Sequence, residues 1–249
     1  MNILEKYPKK RIHLPDEFKQ VYQSAYFYSR SNKGAVKKIF KFFTNWMHIM
    51  VAEKAKGSDE VLELGAGNLS HLAFEKYNTY DVIEPFDELY DSSVSKNLIR
   101  QRYRYSTNIN FNLKYDRILS IATLEHLTNL PYDIAILARQ LKDNGIFQSS
   151  YPSEGGFLWY LGSRYVSGLN FFLKYRLNFD TLLRFEHVNT AKEIEDVVGI
   201  FFKKVKVVRF PFNLLHGSLF CYIEASEVDK KKCEEIILKY QKYSYETIF

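Results

Sequence analysis

Short apolar runs alternate with stretches of helical spacing along most of the chain. Glu60 to Leu64 reads as a strand ending at Gly65-Ala66-Gly67, with a helical stretch from Asn68 to Lys76 behind it. Tyr80 to Ile83 reads as a second strand, Asp87 to Ile99 as a helix, and Arg102 to Tyr105 as a weak third strand. A fourth strand covers Tyr115 to Ile121 and a helix Tyr132 to Leu141. A fifth strand, Ile146 to Ser150, follows the Lys142-Asp143-Asn144-Gly145 turn. Strands alternating with helices predict a parallel sheet covered on both faces.

The flanks read differently. Ahead of the sheet, Glu17 to Lys56 has helical period, with Phe18, Val21, Tyr22, Ala25, Ile39, Phe43, Trp46, Met47 and Met50 apolar and Gly34 as the break between two helices. Past Tyr151 the alternation stops. Pro152 to His187 is rich in glycine, aromatic and basic residues without a clear period, which suggests an inserted cap. A helix at Ala191 to Phe201 follows, then strands at Lys204 to Phe210 and Ser218 to Ala225, joined around Pro211 to Gly217 by a connection short enough for an antiparallel pair. The tail from Asp229 to Phe249 starts as a helix and then frays.

A length of 249 residues suits one domain. Within it we expect N-terminal helices over 1–56, a ligand-binding core over 57–151, the cap over 152–189, the rest of the sheet over 190–228 and a tail over 229–249. No apolar run reaches a membrane-spanning length, and Met1 to Lys6 lacks the plan of a signal peptide. Cys221 and Cys233 are the only cysteines, without metal-ligand spacing, which fits a reducing cytoplasm and excludes a disulfide scaffold. The net charge of +6 favours acidic partners without choosing among nucleic acid, phosphorylated metabolites and anionic surfaces.

Candidate chemistry starts at Val61-Leu62-Glu63-Leu64-Gly65-Ala66-Gly67-Asn68, a glycine turn at the carboxyl end of the first strand, where an open α/β sheet binds its ligand. Glu84, ending the second strand, is placed to accept both hydroxyls of a ribose. A dinucleotide fingerprint would carry a third glycine where Ser70 stands. Glu63 two positions before Gly65, together with Gly-Ala-Gly, instead resembles class I S-adenosylmethionine-dependent methyltransferases, and the resemblance runs from about Gly57 to Ala225. Asp81-Val82-Ile83-Glu84-Pro85 is similar to the family's second motif, Tyr115 to Ser120 to its fourth strand, and Leu141 to Gly145 to the turn before its fifth. The resemblance implies a Rossmann-like seven-stranded sheet with helices on both faces, the last strand antiparallel, and S-adenosylmethionine as cofactor.

By the same resemblance Glu63, Gly65, Ala66, Gly67 and Asn68 would serve the methionine part, Glu84 the ribose, Pro85, Thr107 and Asn108 the adenine side, and Ser120 or Ile121 the floor beside the sulfonium. His126, after the fourth strand, is the expected general base, since neutral imidazole can take a hydroxyl proton; its bland alternative is a loop-bonding histidine. Leu124-Glu125-His126-Leu127 resembles ubiquinone-pathway O-methyltransferases, whose further upstream acid helps hold a metal. Ala122 stands at that position here, so no metal is expected.

The cap, with Glu154-Gly155-Gly156, Trp159 and Arg184 to Thr190, resembles methyltransferases found with bacterial surface-polysaccharide genes. The expected acceptor is therefore a sugar hydroxyl, nucleotide-linked, lipid-linked or polymeric, probed by Tyr151, Glu154, Arg184 and His187, with His187 the reserve base. The cap aromatics Phe157, Trp159, Tyr160, Tyr165, Phe171, Phe172 and Tyr175 would by default pack a core, or else stack on sugars or join a homodimer. A nucleic-acid methyltransferase and a noncatalytic cofactor-binding subunit are the rival readings, and nucleic acid is not the expected partner because no base-methylation motif or RNA-binding module is present.

Overall fold

The computed structural model describes residues 2–19, 21 and 35–240, with side chains in the last stretch from residue 41. The expected helix break at Gly34 and the fraying tail beyond 240 lie outside the described residues. A long helix, α1 (Ala35–Ala52), precedes the sheet. The strands are β1 (Glu60–Leu64), β2 (Thr79–Ile83), β3 (Gln101–Tyr103), β4 (Tyr115–Ile121), β5 (Leu141–Pro152), β6 (Phe202–Pro211) and β7 (Ser218–Val228). They form one seven-stranded sheet in the order β3-β2-β1-β4-β5-β7-β6. β1 to β5 run parallel, and β7 pairs antiparallel with both β5 and β6.

The order reverses between β1 and β4, and the carboxyl end of such a switch point is where an open α/β sheet binds its ligand. One sheet face packs Leu62, Ile83, Ile118, Phe147, Tyr151 and Ile223 against helices α3 (Leu130–Arg139), α7 (Ala191–Phe201) and α8 (Lys230–Tyr240). The opposite face packs Val61, Tyr80, Val82 and Leu119 against Val51, Trp46 and Met50 of α1. A polar seam crosses that second face. The Arg117 guanidinium donates to the Glu75 carboxylate at 2.6 Å, to Gln148 Oε1 at 2.9 Å and to the Val51 carbonyl at 2.8 Å. A buried guanidinium so fully bonded is stabilising only while its acceptors remain, and it ties α1 to the sheet.

Several elements depart from the expected boundaries. Behind β1 only a 3-10 turn forms, Ser70–Ala73, entered through Leu69 in the left-handed region. The helix after β2 is reduced to α2 (Asp87–Asp91) and a 3-10 turn at Lys96–Leu98. Serines there bond the local backbone instead of continuing the helix, Ser92 donating to the Leu89 carbonyl and Ser93 Oγ accepting from Ser95 N. The Lys142 to Gly145 turn is absorbed into β5 as an irregularity: Leu141 pairs with Tyr115 and Ile146 already with Arg117.

The cap is helical. It consists of α4 (Phe157–Gly162), a π-helical turn at Ser163–Gly168, α5 (Leu169–Tyr175) and α6 (Phe179–Glu186). Its period is obscured because few cap residues face inward. Phe171 and Leu182 are buried with Leu14 and Phe18, whereas Phe157, Tyr160, Tyr165 and Phe172 are exposed. Core packing, the default for the cap aromatics, therefore holds for Phe171 and its neighbour Tyr175 but not for those four. No helix among the described residues is long and apolar enough to cross a membrane.

Candidate active site

Three turns meet at the carboxyl ends of β1, β2 and β4. After β1, Gly65 and Gly67 both take positive φ, +74° and +54°, a backbone path that glycine adopts without steric cost. Gly65 needs glycine for a second reason: a Cβ there would fall 2.2 Å from Thr123 Oγ1. The turn after β1 thus lies directly against the turn after β4. Substituting Gly65→Ala adds this overlap to a left-handed alanine, together about 2 kcal/mol or more. A thermal melt should show Tm lowered by roughly 4–8 °C; an unchanged Tm would mean the two turns do not abut.

After β2, Glu84 is buried, 3% exposed, with its carboxylate accepting from Gly67 N at 2.6 Å and Phe86 N at 2.9 Å. Arg102 donates to the Glu84 carbonyl and pairs with Asp87 at 2.8 Å, which fixes the strand end. Pro85 and Thr107 are half-buried, and Asn68 and Asn108 are exposed. Glu63 is placed differently. It is buried beneath the turn, accepts a hydrogen bond from Tyr80 at 2.9 Å, and burial pushes its carboxyl up to about 7. It supports the turn from below.

After β4, Ala122 takes φ +49°, unusual for a non-glycine residue, and swings the chain into a 3-10 turn at Leu124–His126. Ile121 is half-buried, while Ser120 is fully buried with its hydroxyl unpaired. His126 Nδ1 lies 2.9 Å from the Glu186 carbonyl. A carbonyl only accepts, so Nδ1 carries the proton and Nε2 a lone pair. Glu125 is 2% exposed, burial pushes its carboxyl up to about 7, and its Oε2 has no hydrogen-bond partner.

The end of the cap closes on this turn. The His187 ring meets that of His126 edge-on at 4.9 Å, and Trp159 lies 6.0 Å from His187 on the other side. His187 Nδ1 bonds the Glu154 carboxyl. Burial drives both toward neutrality, raising Glu154 to about 8 and lowering His187 to about 4. Burial also lowers His126.

Of the residues expected to touch an acceptor, Glu154 and His187 therefore converge on His126. Arg184 is exposed on α6, two residues from Glu186. Tyr151 is fully buried in the main core. It belongs to β5 itself, paired with Cys221 of β7.

The N-terminal helices were expected to close over the cofactor; the described one, α1, packs on the sheet face, and it is the polar stretch ahead of it that reaches the site. Arg11 donates to the carbonyls of His126, Phe185 and Glu186. Lys9 donates to the Val188 carbonyl, and its own amide to that of Thr128. Asn189 donates to the Leu124 and Leu127 carbonyls, and Tyr7 donates to its Oδ1. The helix cap is Thr190, in a reciprocal box with Glu193. Nothing in a polar, basic N-terminal stretch marks it as a strap.

With this geometry in view, the fold is that of class I methyltransferases. The sequence matches no protein-family model and no curated protein. Solved structures do match. One is an S-adenosylmethionine-dependent methyltransferase, a possible histamine N-methyltransferase, from Thermotoga maritima, with TM-score 0.54 and 14% identity, over 84% of this chain and 99% of that one. Another is the plantazolicin methyltransferase BpumL in complex with S-adenosylhomocysteine, with TM-score 0.51 and 13% identity over 74% and 81% of the two chains. A possible exported protein from Bordetella parapertussis matches with TM-score 0.56 and 12% identity over 90% and 76%. These likenesses establish the Rossmann-like methyltransferase fold.

Proposed function

We propose that the chain is an S-adenosylmethionine-dependent O-methyltransferase whose acceptor is a sugar hydroxyl of a nucleotide-linked, lipid-linked or polymeric glycan. One observation carries the reading: Thr123 packs on Gly65, so the Glu125, His126, His187 and Glu154 group stands immediately beside the turn that Glu84 secures. Ligand turn and proton-handling side chains stand side by side. The residues fit the cofactor, because a buried carboxylate bonded by two amides ends β2 and an open, glycine-shaped turn ends β1.

S-adenosylmethionine supplies an electrophilic methyl group when bound, so this chain's own residues need to bind, align and deprotonate. Glu84 is assigned the ribose hydroxyls, Gly65 to Asn68 the methionine part, Pro85, Thr107 and Asn108 the adenine side, and Ile121 the floor. Ser120 and Glu63 support these groups from beneath. His126 Nε2, with its lone pair free, takes up the acceptor's proton, and the Glu186 carbonyl holds the ring in that tautomer. Arg11 fastens the His126 carbonyl and the end of the cap to one another.

The glycan assignment is supported by the exposed aromatics of the cap and by Arg184 on its last helix, α6. Titration with S-adenosylhomocysteine followed by a screen of nucleotide sugars, purified glycans, phenols and amines for its release tests the whole reading. Turnover with an amine or a small phenol alone removes the sugar assignment. With a phosphate-bearing sugar, Arg184→Lys is expected to reduce kcat/KM by about 5–10-fold, since a guanidinium fork grips a phosphate oxygen pair better than an ammonium does. Cofactor affinity should not change. Equal kcat/KM for the two proteins would leave Arg184 as a solvated side chain.

A further inference from the structure

We propose that Glu125, His126 and His187 form a binding site for a divalent transition-metal cation, with Glu154 and the Glu186 carbonyl as its outer shell. One donor atom from each of the three side chains lies within 4.8 Å of the others. Ligands around a single ion at about 2.1 Å sit roughly 3.0–3.4 Å apart, so modest rotamer adjustment closes the triad. The absence of an upstream acid at Ala122 does not preclude the site, because the cap contributes His187 in its place.

Three features point to a cation and not merely to packed polar groups. Among the described residues Glu125 Oε2 is buried without a hydrogen-bond partner, in a side chain only 2% exposed. A carboxylate oxygen in that state is normally satisfied by a donor or an ion. Both imidazoles have Nδ1 engaged, His126 with the Glu186 carbonyl and His187 with the Glu154 carboxyl, while neither Nε2 makes a hydrogen bond among the described residues. Orientation of one ring nitrogen by a carbonyl or carboxylate, with the other presented inward, is the arrangement that supports metal-bound histidine. The group is also reachable: the His126 side chain is 28% exposed.

Two imidazoles and one carboxylate suit zinc, cobalt, manganese or iron(II) better than magnesium or calcium, which prefer all-oxygen shells. Three protein ligands leave a position open. Resting on the O-methyl transfer proposed above, the two roles of His126 Nε2 exclude one another: in the metal-free chain it is the base, and with the cation bound it is a ligand and the acceptor hydroxyl in the open position loses its proton to water.

The experiment is titration of the metal-stripped full chain with Co²⁺, read by visible absorption and by calorimetry. One tight equivalent with the spectrum of mixed nitrogen and oxygen ligation is expected. Glu125→Gln, which preserves shape, should weaken it at least 10-fold, and Glu154→Gln by about 10–100-fold as an outer-shell loss. His216→Ala, at an exposed histidine remote in sequence from the triad, should leave it intact. Failure of the parent to bind Co²⁺, or equal binding by parent and Glu125→Gln, overturns the site. S-adenosylhomocysteine binding, measured on the same sample, separates the two ideas: a chain that binds it but no Co²⁺ loses only the cation. Conversely, Co²⁺ at the triad without S-adenosylhomocysteine binding refutes the methyltransferase reading and retains the cation site.

Discussion

His126→Ala is expected to lower turnover by about 10²–10⁴-fold while the chain still binds S-adenosylhomocysteine. The imidazole is the more accessible of Glu125 and His126 in the turn after β4, and its Nε2 carries the lone pair because Nδ1 bonds the Glu186 carbonyl. Its backbone role survives the substitution, because Arg11 bonds the His126 carbonyl and not the ring. The loop should therefore keep its course. Single-turnover methyl transfer on the identified acceptor, beside a binding isotherm, checks both halves. Unchanged transfer would move proton removal to His187 or dispense with it. A loss of cofactor binding equal to the loss of rate would instead show that the ring shapes the pocket.

Glu84→Ala is expected to weaken S-adenosylmethionine binding by about 100-fold or more. Each charge-assisted hydrogen bond is worth roughly 1.5–3 kcal/mol, and tenfold in affinity is about 1.4 kcal/mol. The carboxylate also accepts from Gly67 N and Phe86 N, so its loss frees the turn that faces the methionine part. Calorimetry on protein shown to be folded by its melt reads the effect. Glu84→Gln sharpens the result: it can still accept one of those amide bonds but lacks the charge, and should fall between the parent and alanine. Parent-like affinity in Glu84→Ala would remove this residue from the cofactor site.

Much of the frame was legible in the residues. The β1 strand was placed at Glu60–Leu64 and β4 at Tyr115–Ile121, both as found, since an apolar run bounded by glycine or charge has few alternatives. Gly65 and Gly67 were read as a turn, and both carry the positive φ that the reading requires. The helix at Ala191–Phe201 was also placed as found, because its capping box and period agree. Helix length was overestimated after β1 and β2, where Ser70, Ser92 and Ser93 interrupt the period locally and tertiary packing offers no second apolar face to extend it.

What the chain determines alone is the order of elements and the chemistry at their ends. Glycine must stand where φ is positive, alternation of strand and helix forces a parallel sheet, and the short connection before Ser218 allows only an antiparallel return. Which side chains meet was decided by the tertiary structure. Glu125 and His126 are neighbours in sequence, but His187 and Glu154 join them only because the cap folds back from the end of β5 and Arg11 and Asn189 fasten its end to the turn after β4. Such contacts depend on loop closure across long separations, for which local propensity and period carry no signal, and they are fixed instead by the few buried hydrogen bonds that a single arrangement of the loops can satisfy.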